Sequence, residues 1–175
     1  SEMCIRDRNG VILGTPGSGK SFSAKREILS CFLMTRDDVI ICDPEGEYFA
    51  LVAALHGQVV KLATNSKDYL NPMDIQLSHK GDKEALKLKS DFIITLCDLI
   101  AGGKDGLEND EKGIIDECIR HIYDKYFENP VPENMPLLED LYDALLGHKN
   151  PKAERIANSL VLYVHGSQNY FNHHT

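Results

Sequence analysis

Residues 14–21 read GTPGSGKS, and their spacing decides the fold. Gly14, four residues, then Gly19-Lys20-Ser21 is the pattern G-x-x-x-x-G-K-[ST], a Walker A phosphate loop. The pattern works because glycine lets the backbone turn inward, so that several N–H groups point at one anion. A helix opening near Gly19 adds the positive end of its dipole. In that arrangement Lys20 reaches the β- and γ-phosphates and the Ser21 hydroxyl takes Mg2+. The candidate nucleotide-binding stretch is therefore Gly14, Thr15, Pro16, Gly17, Ser18, Gly19, Lys20 and Ser21, with Phe22 adjoining it.

The flanks supply the strand and the helix that such a loop needs. GVIL, 10–13, reads as a buried strand feeding the loop. KSFSAKREILSCFLM, 20–34, carries Phe22, Ile28, Leu29, Phe32 and Leu33 at helical spacing. DVIIC, 38–42, is a β-branched run of the kind found in central parallel strands. EYFALVAALHG, 47–57, reads as a helix ended by Gly57, and QVVKL, 58–62, as a third strand. This βαβαβ alternation predicts a parallel sheet with right-handed crossovers. The expected fold class is α/β: a P-loop NTPase with a partial parallel sheet, followed by a helical subdomain.

After NPMDI, 71–75, the pattern turns helical. Residues 82–101 form one apolar-periodic helix, and the glycine-rich AGGKDG breaks it. In 108–127 a single stripe carries Ile115, Cys118, Ile119, Ile122, Tyr123 and Tyr126. A proline-punctuated loop, NPVPENMP, leads to LLEDLYDALLG and PKAERIANSLVLYVHG. Pro151 suits the first turn of that last helix, with Asn150 as its cap. The expected organisation is a nucleotide-binding half over 9–75 and a mainly helical part over 76–175. SEMCIRDR, 1–8, is polar and aperiodic and reads as a non-native leader. GVIL is short for a central strand and YFNHHT closes no element, so the expectation is a fragment truncated at both ends.

At 175 residues, 42% hydrophobic and 26% charged, the chain can bury a core of its own. A net charge of −8 argues against a broad grip on nucleic acid, although a local basic groove stays compatible with it. The longest apolar run, FIITLCDLIA, is about half of a membrane span and contains Asp98. The five cysteines form no C-x-x-C pair, and three of them sit in apolar runs, which points to reduced core thiols. His173-His174 are too few to make a metal site.

DPEG, 43–46, fits the D-x-x-G of GTPases, and NSKD, 65–68, resembles their guanine motif. In NSKD, however, Lys does not directly follow Asn. Only one helix and one strand separate Lys20 from Asp43, which leaves no room for a switch loop. A GTPase therefore stands behind other readings. Asp43 ends an apolar strand at the carboxyl edge where α/β ligands bind, and an acid there can hold Mg2+ or polarise a nucleophile. The competing reading is an Asx turn before Gly46. Glu45 and Glu47 read first as solvated charges.

NGVILGTPGSGKSFSAKREI, DVIICDPEGEY and LNPMDI together resemble the ATPase domain of the large conjugative-transfer ATPases of type IV secretion systems, in the variety found on Gram-positive conjugative elements. These belong to the HerA/FtsK-like branch of RecA-type motors. SLVLYVHGSQNYFNHHT is similar to the helical insertion of that family. The resemblance implies an ATPase that uses ATP and Mg2+ and works as a homo-oligomer such as a hexamer. It implies a cytoplasmic position, peripheral at the inner face of the bacterial membrane and docked on the membrane-associated secretion apparatus. By it, Gly14 to Ser21 carry over as the nucleotide loop and Lys20, Asp43 and Glu47 as catalytic candidates. Ser21 and Asp43 carry over as metal ligands. Asn71 to Asp74 match a family loop, which the residues alone read as a strand-end turn. The family also has an apolar strand ending in Asp-Glu beyond its helical insertion, where the Glu activates water. No such strand is read in 76–175. The expectation is the nucleotide-binding portion of a motor with weak hydrolysis, or alternatively a nucleotide-binding module without turnover.

Overall fold

The computed structural model describes residues 10–63, 66–76 and 82–175. The chain divides into two units, Ser1–Val59 and Val60–Thr175. The leader read at 1–8 lies outside the described residues, as do Asn65 of NSKD and Cys4.

In the first unit, α1 spans Lys20–Met34 and α2 spans Phe49–Ala54. Helix α1 begins where the glycine loop ends and stops at Thr35, whose backbone N–H and hydroxyl both donate to the Cys31 carbonyl. Its half-buried residues are Lys20, Ser21, Ala24, Lys25, Ile28, Ser30 and Cys31, most of them on one helical stripe. No residue of α1 or α2 is fully buried. The expected strands 10–13, 38–42 and 58–62 pair with nothing among the described residues, so the parallel sheet stays an expectation. A strand is held only by a neighbour's ladder. Without one, Val11, Leu13 and Ile40 stand 80%, 87% and 95% exposed. Cys42 ends such a segment and is exposed, not the core thiol that its apolar run suggested.

The core lies in the second unit, in four helices: α3 (Asp82–Ala101), α4 (Asn109–Glu128), α5 (Leu138–Gly147) and α6 (Pro151–Val164). Their inner faces bring together Ile93, Cys97, Ile115, Ile119, Tyr123, Leu141, Leu145, Ile156 and Leu160, all fully buried. Each such aliphatic side chain contributes about 1.5–3 kcal/mol relative to exposure. The stripe expected on α4 is the buried one, with Ile122 half-buried at its edge. Burial pushes the Cys97 thiol up to about 12, the behaviour of an inert core cysteine.

The helix starts follow local chemistry. Asn150 Oδ1 accepts the Lys152 N–H at 2.9 Å with Pro151 at the first turn. Asp140 reaches back to the Leu137 N–H at 2.7 Å, and Glu111 to the Glu108 N–H at 2.9 Å. Arg155 of α6 ties three helices together, donating to Glu111 of α4 at 2.6 Å and to the Ala101 carbonyl at the end of α3 at 2.8 Å.

Asn71–Asp74 is a turn, closed by the Asp74 N–H on the Asn71 carbonyl at 3.2 Å, and it plugs the helical unit. Asn71 donates to the Pro136 carbonyl at 2.9 Å and accepts the Met73 N–H at 3.0 Å, while the Tyr123 hydroxyl donates to the Met73 carbonyl. Met73 is fully buried and Asn71 nearly so. Among the described residues, no helix is long and apolar enough to cross a membrane.

Candidate functional site

The glycine loop closes with the Ser18 N–H on the Thr15 carbonyl at 3.1 Å. Gly17 and Gly19 take φ of 79° and 85°, the left-handed region that glycine enters without strain. Gly19 caps α1 from that conformation and contributes no side chain to the cap. The first intrahelical bond runs from the Ser23 N–H to the Gly19 carbonyl at 2.9 Å. The amides of Lys20, Ser21 and Phe22 precede it and so have no intrahelical acceptor. No acidic side chain stands in the first turn. The result is a cluster of N–H groups at the positive end of a helix, which suits an anion.

Lys20 Nζ donates to the Gly14 carbonyl at 3.0 Å and to the Thr15 carbonyl at 2.9 Å. The ammonium is thereby drawn back against the loop instead of extending into solvent. Ser21 is half-buried on the first turn, whereas Phe22 points outward at 74% exposure.

Asp43 opens the turn before α2. Its Oδ2 accepts the Tyr48 N–H at 2.8 Å. That bond holds the Asp43 carboxyl below its usual range, opposed by burial and helped by the amides of Glu47, Gly46 and Glu45. One carboxylate oxygen thus closes the loop from Asp43 to Tyr48; the bond spans five residues, so it is not the Asx turn of the competing reading, and no side chain caps α2. Glu45 and Glu47 are exposed on the same turn. Two residues that the sequence reading passed over link this turn to the loop's helix. Lys25 Nζ lies 5.4 Å from the centre of the Tyr48 ring, over its face. Lys25 is one helical turn beyond Ser21, so both side chains share a face of α1. The spacing of Lys25 from Ser21 is visible in the sequence, but its partner is not.

No group of three or more His, Cys, Asp and Glu able to hold a metal occurs among the described residues. A P-loop Mg2+ does not need one, because phosphate oxygens and waters complete its octahedron around one or two protein ligands. Ser21 fits that use, with Asp43 as second candidate. The run Ile114-Ile115-Asp116-Glu117 has the residues of an apolar segment ending in Asp-Glu, but it lies inside α4. Asp116 is engaged there by Arg120 at 2.6 Å and Ser90 at 2.5 Å.

A cavity of about 510 Å3 occurs in the second unit, walled by Leu70, Pro72, Phe92, Leu96 and Leu99 among others, and shares no residue with the loop. The unpaired backbone donors are at the loop, whereas the cavity walls are mainly apolar.

Residues 6–158 match the central domain of the helicase HerA. No curated protein matches the chain. Among solved structures it is similar to VirB4 of Thermoanaerobacter pseudethanolicus, with a TM-score of 0.71 and 23% identity over 90% of this chain and 43% of that one. The chain thus spans less than half the length of that protein, and the likeness shows that the two share a fold. With the match over 6–158, the chain belongs to the HerA central-domain family.

Proposed function

We propose that the chain is the ATP-binding portion of a motor ATPase of the conjugative-transfer and type IV secretion kind. The observation that carries this is the loop itself: uncapped amides at the start of α1, with Lys20 folded against Gly14 and Thr15. Gly14 to Ser21 bind the phosphates and Phe22 adjoins them. Lys20 exchanges its carbonyl partners for phosphate oxygens. Ser21, with Asp43, offers the protein's oxygens to Mg2+, which when bound neutralises charge on the phosphates. In its whole protein the chain works in a homo-oligomer at the cytoplasmic face of the membrane, on the secretion apparatus. The family membership and the VirB4-like fold support this reading. The test is a calorimetric titration of Mg·ATP into the wild type and Lys20→Ala. We expect binding that the substitution abolishes; equal affinity for both removes the loop from the account.

A second reading, a nucleotide-binding module without turnover, is favoured by Asp43, whose Oδ2 already serves the Tyr48 amide. Glu47 is the remaining nearby acid, and it is exposed. We expect steady-state phosphate release by this chain to stay close to the uncatalysed rate, because hydrolysis needs a residue that orients the attacking water, and Asp43 is engaged by the Tyr48 amide while Glu47 is exposed. Release well above background that Asp43→Asn stops would instead make Asp43 the principal catalytic acid.

A further inference from the structure

We infer that Lys25 and Tyr48 are a positioning pair that holds the Asp43 turn against the Ser21 face of α1, and so sets how strongly a bound nucleotide takes a divalent cation. The inference rests on the nucleotide reading of the loop and adds two residues to it. Three observations converge. Lys25 Nζ stands over the Tyr48 ring at 5.4 Å, within cation–π range. The backbone N–H of the same Tyr48 donates to Asp43 Oδ2 at 2.8 Å, so the residue that Lys25 meets is also the one that bonds the carboxylate. Ser21 and Lys25 are four residues apart on α1 and both half-buried, while Phe22, Ser23, Arg26 and Glu27 beside them are exposed. Lys25 is thus the link from the helix that carries the hydroxyl ligand to the turn that carries the carboxylate. An ammonium there does not serve as a metal ligand, and its charge alone would repel a cation. Any gain in cation binding must come from placing Asp43.

The pair should act on the metal, not on the phosphates. The experiment measures ATP affinity by calorimetry in excess Mg2+ and again in EDTA, and takes the ratio. Circular dichroism checks that each variant is folded. Lys25→Ala and Tyr48→Leu should each lower the ratio roughly twofold to fivefold, the span of an exposed cation–π contact, and leave the EDTA affinity unchanged. Tyr48→Phe and Lys25→Arg keep the ring and the cation and should keep the ratio. In an Asp43→Asn background, Lys25→Ala should have no further effect. A fall in EDTA affinity equal to the fall in Mg2+ overturns the inference, since the loop itself is then damaged. So does a rise in the ratio for Lys25→Ala, or full additivity with Asp43→Asn. If the wild type binds ATP, Lys20→Ala abolishes binding and the ratio ignores Lys25 and Tyr48, this inference alone falls. If the wild type does not bind ATP, the nucleotide reading falls with it.

Discussion

Lys20 bonds two neutral carbonyls, those of Gly14 and Thr15. A phosphate oxygen adds the attraction of opposite charges to the hydrogen bond, so the exchange favours ligand. The glycines at 17 and 19 leave the amides aimed without a side chain in the way. Asp43 carries a pH dependence of its own. Its carboxyl is held low in the folded turn, chiefly by the Tyr48 amide. A depressed folded pKa means that the stabilisation is fully present above the unfolded value of about 3.9 and is lost as pH falls through the folded value. The turn 43–48 should therefore stay closed at neutral pH and open in acid. Exchange of the Tyr48 amide, followed by NMR from pH 6 downward, should accelerate in the wild type below the ordinary aspartate range and show no such step in Asp43→Asn. A flat profile in both would detach the carboxylate from the turn. At this scale the sequence was most informative for the loop, because consecutive residues make it. Asp43 was legible only as a choice between cap and ligand, since its partner, the Tyr48 amide, is backbone and has no signature.

Helices were read well where periodicity and end signals agreed. Helices α1 and α3 fall on the residues that their apolar spacing marks, and α6 starts at Pro151 behind its Asn150 cap. Helix α2 is shorter than EYFALVAALHG suggests, because the Asp43 turn runs on to Tyr48 and His56 takes a left-handed φ of 55°. The strand-like runs are β-branched enough to be strands, but a strand's partner is a long-range matter on which composition is silent. The same limit hid the Asn71 plug, whose acceptor on Pro136 lies far along the chain. Two substitutions weigh these terms. Leu141→Ala opens a cavity at a fully buried site and should cost about 2–5 kcal/mol. Asn71→Ala leaves the Pro136 carbonyl and the Met73 N–H without their buried partner, at about 1–3 kcal/mol. Urea unfolding followed by helical ellipticity checks both. An Asn71→Ala midpoint equal to that of the wild type would mean that the plug is ornamental to the helical unit.

Over the whole chain, the buried core and the proposed phosphate site fall in different units. The second, Val60–Thr175, contains the buried core, whereas the first carries the phosphate loop on helices without a fully buried residue. A loop built from backbone amides tolerates this, since its donors are oriented by glycine conformations and a helix start more than by packing. The central claim is that those amides, and not the apolar cavity of the second unit, receive the ligand. Its most direct test is an amide-resolved NMR titration of the complete chain with ATP, ADP and inorganic pyrophosphate, and with adenosine as control. The largest shifts should fall at Gly17 through Phe22 with all three phosphate ligands, and none there with adenosine. Shifts centred on Leu70, Phe92 and Leu99 instead, or shifts at the loop as large with adenosine as with pyrophosphate, would contradict it.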